Sequence, residues 1–352
     1  MIVIVAAYPA PDKQKDGMVQ RVAYIDDLIK SVPRTYLDVS FRRFSKKKIT
    51  VDGLVTIYQL NFFLNIPLII SLLKRSRLLY IHSASNALKT ILFKTEAHVI
   101  YDAHGIVPEE LLMMDKRLSA LVYSFGERKV LDRCNTLVCV TRSMLEHFNR
   151  KYGEKRERES IVFPILPRLE GHNFQVQLGT AIRDERSVIY AGGAQVWQNV
   201  EKMLQAALAQ PEMKYTILTT ELEFFEGRIA SCSVQNTLCC TVEPEQVKNF
   251  YLKHEYGFIL RDAVLVNEVA CPTKLMEYLY WGILPIVLTP RIGDFNSKNL
   301  CYVTLEDFQR GKFPDRAARV VMRERNRQAI DSILKSAQAS VEHLKQIVAR
   351  FT

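Results

Sequence analysis

The stretch CPTKLMEYLYWG, Cys271 to Gly282, sets a lysine and a glutamate three residues apart where a helix should start. If the helix begins near Thr273, its first backbone amides lack intrahelical acceptors and form a natural anion site. Lys274 adds a full positive charge at that end. Glu277, at i+3, lies on the same face. Leu275, Met276, Leu279 and Tyr280 fall largely on the opposite side and pack inward. An anion at the helix tip with a carboxylate one turn deeper matches a nucleoside diphosphate. Lys274 and the amides would take the phosphates, and Glu277 would accept from the ribose hydroxyls. The same spacing also suits a plain i,i+3 ion pair, worth roughly a few tenths of a kcal/mol. Spacing by itself leaves both open.

Other residues could join such a site. In YAGGAQVWQN (Tyr190 to Asn199) a strand ends in Gly192-Gly193 before a helix, which lets backbone approach a phosphate closely. A tight strand–helix turn would read the same way. In DGMVQRV, Gly17 opens a helix after the first strand, with Arg21 one turn in, and amides there could face a phosphate. YDAHGIVPEE places Asp102 and His104 directly after a strand, where catalytic loops sit, although a lone histidine is more often structural. LRDAVLVNEVACPTK adds Arg261, Asp262, Asn267 and Glu268 just past a strand end. The chain holds no D-x-D, so a carboxylate-held divalent metal lacks its usual nucleotide-sugar signature. No Ser-His-Asp or Cys-His constellation is recognisable, and no metal or cofactor is expected.

These residues need a scaffold, and 352 residues suggest two domains. Apolar residues at 48 % and charged residues at 24 % suit a globular chain and argue against disorder. Short apolar strands (IVIVAAY, LLYIHS, HVIYDAH, NTLVCVT) alternate with helical segments in the first half. Thr141 is placed to cap RSMLEHFNRKYG, which Gly153 ends. The rhythm breaks at Phe163 to Ser187, then restarts with SVIYAGG, KYTILTT, NTLCCTV, YGFILRD and LPIVLT. The expectation is an α/β chain of two doubly wound, parallel-sheet, Rossmann-like domains facing a cleft. The boundaries read 1–165, a linker over 166–186, 187–325, and a closing helix over 326–352 that crosses back to the first domain. Ligands in such sheets bind beyond the carboxyl ends of the strands.

Charge narrows the partners. Residues 1–165 hold 26 Lys+Arg against 17 Asp+Glu, whereas the rest hold 22 against 21, so nearly all of the +10 lies in the first half. Its basic runs are FRRFSKKK, KRSR and KYGEKRER. One-sided positive charge draws phosphate-bearing partners, although each run also suits a merely solvated surface. LNFFLNIPLIISLL (Leu60 to Leu73) is too short to span a bilayer, and packs either in the core or at a membrane interface beside KRSR. The basic runs lack an aromatic platform, so nucleic acid is not expected. Seven cysteines without C-x-x-C, with Cys139 and Cys239 inside apolar runs, indicate a reduced cytoplasmic chain. The apolar MIVIVAAYP lacks a basic n-region and reads as a buried strand, not a signal peptide.

Together, YAGGAQVWQNVEKML, FILRDAVLVNEVACPTKLMEYLYWGILPIV and, more loosely, YDAHGIVPEE resemble the GT-B glycosyltransferases, in particular the retaining family 4 and its bacterial surface-polysaccharide branch. The resemblance implies that Glu277 binds the donor ribose and that Thr273 and Lys274 meet the diphosphate. It implies that Gly17 is the N-terminal glycine loop and that His104 lines the sugar site. The substrate would be a nucleoside-diphosphate sugar. The acceptor would be a glycan or lipid-linked glycan on the inner face of the plasma membrane. Two departures stand out. The family's arginine and lysine in the second-domain loop are replaced by Gly193 and Gln198, which shifts weight to Lys274 and Arg261. Val269 stands where the first glutamate of the paired motif is expected. An inactive partner subunit and a nucleotide-sugar epimerase are the alternatives.

Overall fold

The computed structural model describes residues 1–10, 17–43, 46–154, 157–166 and 183–352. It contains two compact units, Met1–Ile165 with Lys335–Thr352, and Leu166–Leu334.

The first unit is built on eight strands: β1 Ile2–Val5, β2 Arg34–Ser40, β3 Lys48–Asp52, β4 Val55–Asn61, β5 Leu78–His82, β6 His98–Ala103, β7 Thr136–Cys139 and β8 Glu159–Val162. Their order is β3-β4-β2-β1-β5-β6-β7-β8, parallel throughout except for the β3–β4 hairpin. Strands β1, β5 and β7 are buried at every residue, as near-continuous apolar runs covered on both faces must be. The edge strand β3 is exposed along its whole length. Gly53, at φ +55°, makes the two-residue turn into β4. The hydroxyl of Thr141 accepts from the amide of Met144 at 3.0 Å and caps the helix Arg142–Tyr152, which ends at Gly153 with φ +83°. The helix Ile66–Arg75 buries Ile69, Leu72 and Leu73, so the apolar stretch ahead of KRSR packs into the core along that face. Cys139 is fully buried, whereas Cys239 is only partly covered because its strand is a sheet edge.

The second unit has six parallel strands: β9 Asp184–Ala191, β10 Lys214–Leu218, β11 Thr237–Cys240, β12 His254–Ile259, β13 Leu284–Val287 and β14 Val303–Thr304. Their order, β11-β10-β9-β12-β13-β14, reverses its winding between β9 and β12. That reversal is the point where open α/β sheets bind ligands. Strand β9 begins three residues ahead of the expected Ser187 boundary, and most of the expected linker, 167–182, lies outside the described residues. The helix Thr273–Tyr280 is locked onto the sheet by Tyr278, whose ring lies where a Cβ on Gly257 would meet it at 2.3 Å. The Tyr278 hydroxyl donates to the carbonyl of Ile189 in β9 at 3.1 Å. The closing helix starts at Arg316, ten residues before the expected Asn326, and runs 34 residues to Ala349. Its part from Lys335 onward belongs to the first unit.

Candidate functional site

Strands β9 and β12 are sheet neighbours, so the segments beyond their carboxyl ends, Gly192-Gly193 and Leu260-Arg261-Asp262, emerge side by side. Lys274, from the helix Thr273–Tyr280, reaches the same place. Gly192 has φ +156°, and a Cβ there would lie 2.8 Å from the Lys274 Nζ, so the ammonium occupies the space the glycine leaves. That Nζ sits 3.6 Å from the centroid of the Tyr190 ring and 3.4 Å from Oε1 of Gln198. Lys274 is 8 % exposed. Burial pushes its ammonium well below the usual lysine range, nearby Arg261 pushes the same way, and Glu277 opposes them.

Arg261 is the second cation. Its Nη1 donates to Oδ1 of Asn267 at 3.0 Å, and burial lowers its pKa to about 10. Asn267 is buried, and its Nδ2 donates to the carbonyl of Asp262 at 3.0 Å, so it positions Arg261 within its own loop. Asp262 is held by Lys202 Nζ at 2.6 Å and Asn199 Nδ2 at 2.7 Å. Among the described residues, neither Lys274 nor Arg261 has a carboxylate at ion-pair distance. One buried and one partly buried cation without a counter-ion are costly unless a ligand supplies the anion.

Glu277 takes neither role in an internal ion pair. Its Oε2 accepts from the hydroxyl of Tyr251 at 2.8 Å, and its Oε1 has no hydrogen-bond partner among the described residues. Burial raises its pKa, while Tyr251 and Lys274 pull it back. Of the two meanings the i,i+3 spacing allowed, the geometry thus lacks the ion pair and leaves a lysine and a half-engaged carboxylate. Thr273 is the first residue of the helix, where the orphan amides are.

Gly193 is placed differently from Gly192. The Glu221 carboxylate accepts from the amide of Ala194 at 3.1 Å and fills the space beside Gly193. The glycine facing Lys274 is therefore Gly192. Val269, where a first glutamate was expected, is buried, and Glu268 lies 3.8 Å from Arg291. Gln198 had been named only as a replacement for the family's lysine, and Tyr190, Glu221 and Tyr251 were not foreseen. Only Tyr190, directly ahead of the glycine pair, carried a positional signal in the sequence.

In the first unit, Asp102, 0 % exposed, is the hub of a buried cluster. Arg21 grips it through Nε at 3.1 Å and Nη2 at 3.2 Å, and Tyr80 donates to Oδ2 at 2.9 Å. Arg21 also donates to the carbonyl of Pro164 at 3.1 Å and stacks 4.0 Å from the Phe163 ring centroid. It thus turns into the core. Gly17 starts the helix Gly17–Leu28, but residues 11–16 ahead of it lie outside the described residues. His82 Nδ1 and His104 Nε2 are 3.2 Å apart and lie 3.5 and 3.6 Å from the Asp102 carboxylate. Three such ligand atoms could surround a metal ion. Arg21 already supplies the positive charge and occupies both carboxylate oxygens, so a divalent cation there would face a guanidinium. His104 Nδ1 is buried without a partner.

No protein-family model matches the sequence, and no curated protein sequence does. Solved structures do match along the whole chain. Sucrose-phosphate synthase from Thermosynechococcus elongatus is 12 % identical with a TM-score of 0.68, covering 99 % of this chain and 98 % of that one. Alpha,alpha-trehalose 6-phosphate synthase from Burkholderia multivorans is 10 % identical with a TM-score of 0.65, covering 100 % and 99 %. Anabaena Alr3699/HepE, solved with UDP and glucose, is 10 % identical with a TM-score of 0.64, covering 98 % and 99 %. This likeness shows the fold: α/β with two parallel-sheet Rossmann-like domains, matching GT-B structures.

Proposed function

We propose that this chain is a glycosyltransferase that moves a sugar from a nucleoside-diphosphate sugar to a glycan acceptor in the synthesis of a cell-surface polysaccharide. The acceptor is lipid-linked, and the basic first unit meets an anionic membrane surface. One observation carries the reading: the buried Lys274 fills the space left by Gly192 at the winding reversal of the second sheet, with the partly buried Arg261 close enough to act on its charge, and neither has a carboxylate at ion-pair distance among the described residues. A diphosphate supplies the missing anion. Glu277, with one oxygen held by Tyr251, accepts from the ribose hydroxyls with the other.

The chemistry follows from that placement. The bond from the anomeric carbon to the diphosphate oxygen breaks, and negative charge grows on the leaving group. Lys274, Arg261 and the start of the helix Thr273–Tyr280 stabilise that charge more strongly than they stabilise the ground state. The acceptor oxygen forms the new bond from the same face, and its proton leaves to a phosphate oxygen or to solvent. The anomeric configuration is retained. The role of His104 in lining the sugar site rests on resemblance alone.

The test is binding and transfer with a panel of nucleotide sugars, UDP-sugars first because a neighbouring fold was solved with UDP. If no donor binds by about millimolar concentration and Glu277→Ala changes nothing, the reading fails. Proton linkage gives an independent readout. A bound diphosphate favours the charged ammonium, raising a Lys274 pKa that burial depresses in the free protein. UDP binding should therefore take up protons, and affinity should fall as pH rises above the free value. Calorimetry in two buffers of different ionisation enthalpy measures this. Equal heats in the two buffers would count against Lys274.

Gly192→Ala should weaken UDP binding by roughly tenfold, because a methyl 2.8 Å from Nζ displaces the ammonium. The backbone strain costs about 1–3 kcal/mol of stability, read by denaturant unfolding. The replaced loop residues Gly193 and Gln198 favour a second reading, an inactive partner subunit. It predicts stable association with another transferase and no transfer by the isolated chain.

A further inference from the structure

Strands β2 and β4 run side by side and parallel, so the segments after Ser40 and Asn61 leave the same edge of the first sheet. After β2 come Arg42 and Arg43, then Lys46, Lys47 and Lys48, all exposed, with no acidic residue between Ser40 and Val51. After β4 comes an apolar turn. Asn61 fastens the two together: its Nδ2 donates to the carbonyl of Arg43 at 3.2 Å, and its Oδ1 accepts from the amides of Phe63 and Leu64 at 3.0 and 3.3 Å. Phe62 is buried and anchors the turn, with the Phe41 ring 4.9 Å away. Phe63 and Leu64 are held outward, 65 % and 67 % exposed. Two large apolar side chains fixed in water beside five cations are not explained by packing or by solubility.

We propose that this face docks the first unit on an anionic lipid bilayer, with Phe63 and Leu64 in the acyl boundary and the five cations on headgroup phosphates. The inference rests on the membrane part of the reading above and names the surface. The charge selects the occupant, since a partner must be both anionic and apolar to satisfy both halves. A nucleic acid would engage the cations and leave Leu64 unused. The helix Arg117–Arg133 also shows an apolar stripe, with Leu118 82 % and Phe125 56 % exposed. Arg117, Arg128 and Lys129 also stand exposed on that helix, with Lys129 Nζ 5.6 Å from the Phe125 ring centroid, but Arg117 is paired with Asp115 at 3.2 Å, whereas the five cations after β2 have no acidic residue among them.

Co-sedimentation with vesicles tests the assignment, using phosphatidylcholine alone or mixed with phosphatidylglycerol. The full chain should bind only the mixed vesicles, more weakly at high salt. Arg42→Glu with Arg43→Glu should lower binding at least tenfold, at roughly fivefold per cation removed. Phe63→Ser with Leu64→Ser should lower it at least tenfold while keeping the salt dependence. Absence of vesicle binding, unchanged binding by both variants, or loss only on Leu118→Glu with Phe125→Glu would overturn the proposal. So would preferential binding of a single-stranded oligonucleotide. UDP affinity, measured on the same samples, reports on the donor site separately, so failure of one reading is not mistaken for failure of the other.

Discussion

Lys274→Ala is expected to lower UDP affinity by about tenfold to a hundredfold, and kcat/KM for transfer by a further tenfold or so, without lowering thermal stability. The affinity loss reflects one charge-assisted contact to a phosphate. The extra kinetic loss reflects charge that grows on the leaving diphosphate as the sugar departs. Thermal stability separates a functional lysine from a structural one. In the free protein the ammonium is buried against Tyr190 and Gly192 with only a long hydrogen bond to Gln198. A lysine kept for the fold would destabilise on removal. A lysine kept for a ligand costs desolvation until the ligand arrives, so truncation should be neutral or slightly stabilising. Lys274→Arg should not restore binding, because the space above Gly192 fits a compact ammonium and not a guanidinium fork. Glu277→Gln should keep the hydrogen bond from Tyr251 and lose ribose acceptance, weakening UDP about tenfold. UDP binding titrations with melting curves on both variants check this, and an unchanged UDP affinity in Lys274→Ala would remove the basis of the donor site.

The proposed donor site was legible because its residues lie where chain geometry forces them. Lys274 and Glu277 share a helix face by spacing, and Gly192 and Arg261 each follow a buried strand end. Sequence could not show that β9 and β12 are neighbours, and that adjacency is what brings Gly192 to Arg261. Tyr251 was invisible for the same reason: it meets Glu277 from a helix 26 residues earlier, a distance no local rule reaches. Glu221 beside Gly193 is a further long-range contact.

In the first unit the fully apolar strands were evident, but β2, β3, β4 and β8 were not among the strands expected. RTYLDVS mixes polar and apolar residues, and β3 is exposed throughout, so neither presents a continuous apolar run. The signal that could have found the hairpin was Asp52-Gly53 between alternating residues. Missing it hid the pairing of β2 with β4, and with it the meeting of FRRFSKKK with Phe63 and Leu64. Asp102 and His104 stood out as a pair after a strand. Arg21 was placed only as lying one turn into its helix, and nothing in the sequence says that its long side chain turns inward to a carboxylate 81 residues away.

That inward turn makes Asp102→Ala the most destabilising single change expected here, about 3–5 kcal/mol, since it strands a buried guanidinium. Tyr80 and the two histidines lose their common acceptor as well. The same cluster should make the protein acid-labile in two stages. Burial outweighs the pull of Asp102 and lowers the His82 pKa to about 3 from an ordinary value near 6.5. Between those values the unfolded chain binds a proton that the fold refuses. This contribution to stability is complete above about pH 6.5 and is lost as pH falls, by at most about 1.4 kcal/mol per unit. Asp102 acts in the same direction lower down. Burial opposes its ionisation, but Arg21, His104 and His82 outweigh it and hold the carboxyl well below the usual range. Its contribution is present above about pH 4 and fades below it. Denaturant unfolding between about pH 7 and 4.5 should therefore show stability falling in wild type and falling less steeply in His82→Gln. A wild-type curve flat across that interval would mean that His82 is not held neutral, and the cluster would need a different charge assignment.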